Sequence, residues 1–132
     1  MNAFLRSELV VLGLAIGLHS TGVPAYGGGG SSSAGCTDPR FYEEAPAKNA
    51  VVAELAEVFA VASDNTDPQT IELEVGPQRL KPSVAVRRSG ELELRAKLPL
   101  PIRQAGKVRI ALTAKSKDGC AGFHPYFVEV KP

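Results

Sequence analysis

Four runs in the second half of this chain alternate apolar and polar residues with a period of two. Ile71, Leu73 and Val75 alternate with Glu72 and Glu74. Leu92, Leu94, Ala96 and Leu98 alternate with Glu91, Glu93, Arg95 and Lys97. Val108, Ile110, Leu112 and Ala114 alternate with Lys107, Arg109, Thr113 and Lys115. Tyr126, Val128 and Val130 alternate with Phe127, Glu129 and Lys131. Successive side chains of a strand point to opposite faces, so each run reads as a strand with one face on a core and one in water. Ser83–Arg87 follows the same rule through Val84 and Val86. Gly76-Pro77, Ser89-Gly90 and Asp118-Gly119 stand between the runs, where hairpins need turn residues. Pro99 and Pro101 flank Leu100 and have no amide hydrogens to give a ladder, so Leu98–Gly106 is expected to be a connection.

Ala50–Ser63 is ambiguous. Its Ala, Glu and Leu content suits a helix, with Val51, Leu55, Phe59 and Ala62 on one face. Val58–Ala62 also reads as a buried strand. One or two strands are preferred here, because the rest of the domain is β.

The chain begins with Arg6 and a short apolar run, Leu9–Leu18, followed by Val23-Pro24-Ala25. That is the layout of a secretory signal peptide, and the run is about half the ~20 residues that span a bilayer. The expected organisation is a signal peptide at 1–25, a Gly/Ser-rich linker at 26–35 and a β-sandwich domain at 36–132, in a secreted or periplasmic protein. Cys36 and Cys120, the only cysteines, are expected to form a disulfide. Closing a loop of that length contributes roughly 4–5 kcal/mol by chain entropy. A rival use of Cys36 is lipidation, after Ser33-Ala34-Gly35, which would anchor the protein to a membrane surface. Acids outnumber bases from Tyr26 to Gln78, and from Arg79 onward the bases face only Glu91, Glu93, Asp118 and Glu129. This asymmetry is read as opposite charges meeting across paired strands.

Short strands separated by turns in under 100 residues indicate an all-β antiparallel sandwich. On the runs Thr70–Val75, Glu91–Leu98, Lys107–Ser116 and Tyr126–Val130, the chain resembles immunoglobulin-like or fibronectin-III-like modules of secreted bacterial proteins. The resemblance is architectural. There is no Trp, and the cysteines are too terminal for the inter-sheet disulfide of antibody domains. They would tie the start of the domain to the turn before the last strand.

Few constellations carry chemistry. His19 falls in the leader, which leaves His124. No Gly-x-Ser-x-Gly segment marks a nucleophile, so no catalytic residue is assigned and the chain is read as non-enzymatic. A blue-copper centre needs two His, a Cys and usually a Met, and zinc on Cys36, Cys120 and His124 would need reduced thiols. No metal or other cofactor is therefore expected. Asp64, Asn65 and Asp67 read as a solvated turn rather than a calcium loop. Nucleic acid is not expected as a partner, because aromatics are sparse in the basic half.

The remaining candidates are surface residues. Arg87 and Arg88 flank a hairpin, and Phe123, His124, Tyr126 and Phe127 crowd the last strand, with Phe127 on its outward side. Together they suggest a binding or accessory module that captures a protein partner. Two alternatives remain open. One is the surface lipoprotein anchored through Cys36. The other is a periplasmic carrier of a redox or sulfur group, since size, export and β content resemble the carriers of bacterial thiosulfate oxidation. Those carriers bear a reactive Cys in a Gly-Gly-Cys tail, whereas this chain ends Glu129-Val130-Lys131-Pro132.

Overall fold

The computed structural model describes residues 35–132, and the expected leader and nearly all of the linker lie outside the described residues. The strands are β1 (Phe41–Ala45), β2 (Val51–Val52), β3 (Leu55–Ala62), β4 (Glu72–Val75), β5 (Gln78–Leu80), β6 (Ser83–Val86), β7 (Leu92–Ile102), β8 (Gly106–Lys115) and β9 (Ala121–Val130). Between β3 and β4 lies one 3-10 turn, Pro68–Thr70, capped by the Asp67 carboxylate, which accepts from the Gln69 amide. Asp67 is thus a cap, and Asn65 donates to the Thr37 carbonyl at 2.8 Å, in keeping with a turn there.

The strands form two sheets, ordered β1-β3-β7-β6 and β2-β9-β8-β4-β5. Neighbours are antiparallel except β2 on β9. This is the strand order of an immunoglobulin-like sandwich, with β2 and β5 as short edge strands at the two margins of the second sheet. Except in β6, an edge strand whose Val86 is 70% exposed, the alternating residues behave as read. Leu73, Val75, Leu92, Leu94, Ile110, Leu112, Val128 and Val130 are all buried in one core between the sheets. Ala50–Ser63 contains two strands and no helix, because Val58, Ala60 and Ala62 fill that core from β3.

Leu98–Gly106 is not simply a connection, since β7 runs on to Ile102 through both prolines. The reason lies in the pairing. β6 reaches only to Arg95 of β7, and on the other side the β3 register breaks between Leu55 and Glu57. Pro99 and Pro101 fall in that irregular stretch, where no ladder asks for their missing donors. Pro125 sits in the middle of β9 for a related reason. The Phe127 carbonyl and Glu129 amide turn away from β8, towards Asn49 and Ala50. Pro125 shares their parity, so its missing N–H is on that outer side and not in the β8 ladder.

Opposite charges do pair. Arg79 meets Glu74 at 3.1 Å across the β4–β5 hairpin, and Arg103 meets Glu54 at 3.4 Å. These pairs are exposed and each is worth under about 1 kcal/mol.

Candidate functional site

The first strand changes sheets, and this sets up the site. β1 pairs with β3 in one sheet. The chain then crosses over Pro46–Ala50, and β2 pairs with β9 in the other. Residues 36–52 therefore run beside 120–131 along one flank. Cys36 is bonded to Cys120 at the start of this seam, with a Cα separation of 5.8 Å. At the other end the Asn49 amide donates to the Phe127 carbonyl at 2.7 Å, and the Glu129 amide donates to the Ala50 carbonyl at 2.8 Å.

A bulge aims the key carboxylate. Tyr42 faces Val61 and Ala45 faces Phe59, so β1 carries one extra residue between them. Glu43 takes a positive φ of 54° there. Strict alternation after the buried Phe41 would turn Glu43 inward and Glu44 outward. The bulge reverses this. Glu43 stays outside and accepts from Arg87 at 2.9 Å, whereas Glu44 turns to the seam. There its Oε1 lies 2.6 Å from His124 Nε2, with side-chain exposures of 20% and 35%.

Two aromatics enclose the pair. The Phe41 ring stacks on His124 with centroids 6.1 Å apart, and the Tyr126 ring lies 5.7 Å from His124. Tyr126 is 2% exposed, and its hydroxyl has no hydrogen-bond partner among the described residues. Burial holds that hydroxyl well above the usual phenol range, and the nearby Glu44 charge raises it further. The result is one imidazole and one carboxylate joined across two sheets, open on one side to solvent.

The six surface candidates do not form one surface. Arg87 is bound to Glu93 and Glu43, each at 2.9 Å, on the outer face of the first sheet. Arg88 is exposed on the same hairpin. Phe123 and Phe127 are 60% and 46% exposed on the outer face of the second sheet, and Arg109 covers Phe123 with its guanidinium 5.6 Å from the ring centroid. Tyr126 points into the core, as its place beside Val128 and Val130 requires, and is not a surface anchor. His124 faces the seam and not outward. In the sequence Glu44 is one of two adjacent acids, Glu43-Glu44, with nothing beside them to mark a site. Its pairing with His124 spans 80 positions, and no local pattern signals it.

No family model matches this chain, nor does the sequence of any curated protein. Solved structures do share the fold. CopC from Methylosinus trichosporium OB3b superposes with a TM-score of 0.56 at 15% identity, over 71% of this chain and 94% of that one. PcoC from Escherichia coli, a methionine-rich copper resistance protein, gives 0.51 at 19% identity, over 72% and 100%. At these identities the likeness is one of fold.

These findings correct the functional expectations. A module built to capture a protein partner is replaced as the reading, because its expected surface is dispersed over two faces and the core, and one of the solved structures that share the fold, PcoC, is a copper resistance protein. The sulfur carrier and the Cys36 lipoprotein both need a free thiol. Each cysteine is instead bonded to the other, the state that secreted and periplasmic proteins maintain.

Proposed function

We propose that the protein is a non-enzymatic, extracytoplasmic carrier that takes copper(II) as cargo at His124 and Glu44. One observation carries this reading. His124 is the single histidine among the described residues, and it is set against a carboxylate at 2.6 Å where both remain reachable from solvent. Shared fold with CopC and PcoC supports the choice of copper.

The donors suit one oxidation state. Copper(I) is held by thiolate and thioether sulfur, whereas nitrogen and oxygen donors suit copper(II). The described residues contain no methionine, and both cysteines are in the disulfide, so a methionine-rich copper(I) site of the kind PcoC's description suggests has no counterpart here. The described residues contain no cluster of three or more His, Cys, Asp or Glu side chains able to hold a metal. The pair therefore fits copper(II) in kind but supplies only two positions. The others fall to solvent or to a small ligand that travels with the ion, which makes binding weak and exchange fast, as a carrier needs. The Phe41 and Tyr126 rings hold the imidazole in place and limit water on its core side.

Titration with copper(II) under equilibrium dialysis, with electron paramagnetic resonance of the complex, tests this. One equivalent should bind with hyperfine coupling to a single imidazole nitrogen, and His124→Ala should abolish that signal. Absence of saturable binding, or an unchanged signal in His124→Ala, would overturn the reading.

A further inference from the structure

We propose that the Cys36–Cys120 bond is a positioning element that holds Glu44 on His124, beyond any part it has in folding. For copper the inference rests on the function proposed above, but the geometry it concerns exists without metal.

Glu44 belongs to one sheet and His124 to the other. Their 2.6 Å contact therefore depends on how the sheets are clamped along this flank. β1 is laddered to β3 alone, and β9 to β8 and to the two residues of β2. No ladder joins β1 to β9. Cys120 and Phe127, the points where the seam is clamped, are roughly 24 Å apart along an extended chain. His124 lies between them. The clamp beyond Glu44 is the hydrogen bond from Asn49 to Phe127, and the clamp before it is the disulfide.

Between the clamps the two chains touch closely. A Cβ placed on Gly122 would lie 2.7 Å from the Pro39 carbonyl oxygen and 3.0 Å from its ring, so only glycine allows this approach. Pro39 and Phe41 are both buried there. The lead into β1 is also tied to the end of β3, through the Arg40 amide to the Ser63 hydroxyl at 2.9 Å and through Asn65 to the Thr37 carbonyl. Those bonds fix it to its own sheet. The covalent bond, with the Pro39–Gly122 contact, fixes it to the sheet that carries His124.

The test compares the wild type, Cys36→Ser/Cys120→Ser and Leu94→Ala, the last a core control placed away from the seam. Copper(II) affinity, amide exchange along β1 and the His124 ring signals in metal-free NMR spectra are measured on each. In the folded double variant, exchange of Phe41–Ala45 should quicken while β8 stays protected. Its His124 ring signals should move, and its copper affinity should fall about tenfold, the scale of losing a supporting contact at a metal site. Leu94→Ala should keep the wild-type affinity and ring signals. Wild-type β1 protection and ring signals in the double variant would overturn the proposal, as would an equal loss of affinity in Leu94→Ala. If the wild type binds no copper, the carrier reading fails, and exchange and ring signals alone decide this one. If the double variant does not fold, the wild type is measured before and after reduction of the bond under native conditions. Reduction should quicken exchange of Phe41–Ala45 and move the His124 ring signals, reoxidation should restore both, and unchanged β1 exchange on reduction would overturn the proposal.

Discussion

At the scale of single residues, Tyr126 is the side chain whose chemistry and place disagree most. Its ring belongs to the core, yet its hydroxyl is buried beside a carboxylate without a partner. Removing a buried, unpaired polar group relieves its desolvation cost, so Tyr126→Phe should stabilise the protein by about 1 kcal/mol in chemical denaturation. The same residue predicts an alkaline effect. The phenol is raised in the folded state by burial and then by Glu44, while an unfolded phenol ionises near pH ~10. Its contribution is fully present below that pH. It is lost as the pH rises further, because the unfolded chain releases the proton first. The denaturation midpoint of metal-free protein should therefore fall above about pH 10, and less steeply in Tyr126→Phe. A second residue-scale case is Arg87. In the sequence it stands beside Arg88 as a free basic pair, but Glu43, 44 positions upstream, and Glu93 neutralise it. Pairings over such separations are products of the fold, and no inspection of neighbours reveals them.

At the scale of strands, legibility followed local regularity. β4, β8, the first part of β7 and the last half of β9 are legible from their alternation, and Gly76, Gly90 and Gly119 mark turns, whereas Pro99, Pro101 and Pro125 mask the rest of β7 and β9. β1 was not visible. Phe41-Tyr42-Glu43-Glu44-Ala45 carries a bulge, and a bulge erases the period that identifies a strand. The site was hidden by the same device, since the bulge is what sends Glu44 inward. β5 was missed for another reason: three residues are too few to show any period. Two strand-level outcomes can be measured. Gly122→Ala should cost about 1–3 kcal/mol, because the methyl group forces a backbone shift against Pro39. Removing the disulfide by Cys36→Ala/Cys120→Ala should cost about 2–5 kcal/mol, read from the thermal midpoint of the oxidised and variant proteins.

At the scale of the whole molecule, the sheets pack through a single apolar core, and the net charge is close to zero. Leu94 is 2% exposed in that core, so Leu94→Ala should cost about 2–5 kcal/mol in denaturant unfolding, with the transition remaining cooperative. A loss below 1 kcal/mol would mean that the first sheet can collapse around the gap. The architecture was readable from sequence at this scale because sandwich formation asks only for the right period and the right turns. The candidate site was not, since Glu44 and His124 come from different sheets and meet only along the flank where the first strand changes sheets.

That crossing has a consequence for how copies of the molecule behave towards each other. A bare sheet edge presents unpaired amides and carbonyls, and it templates the addition of strands from other molecules. By passing from β1 to β2, the chain divides this flank between two short edge strands, five residues on one sheet and two on the other. The opposite margin ends in β5 and β6, three and four residues long, which give an incoming strand few groups to grip. A protein working outside the cytoplasm is thereby guarded against growing into fibres, and stripping β2 from β9 would remove that guard while the core was still intact.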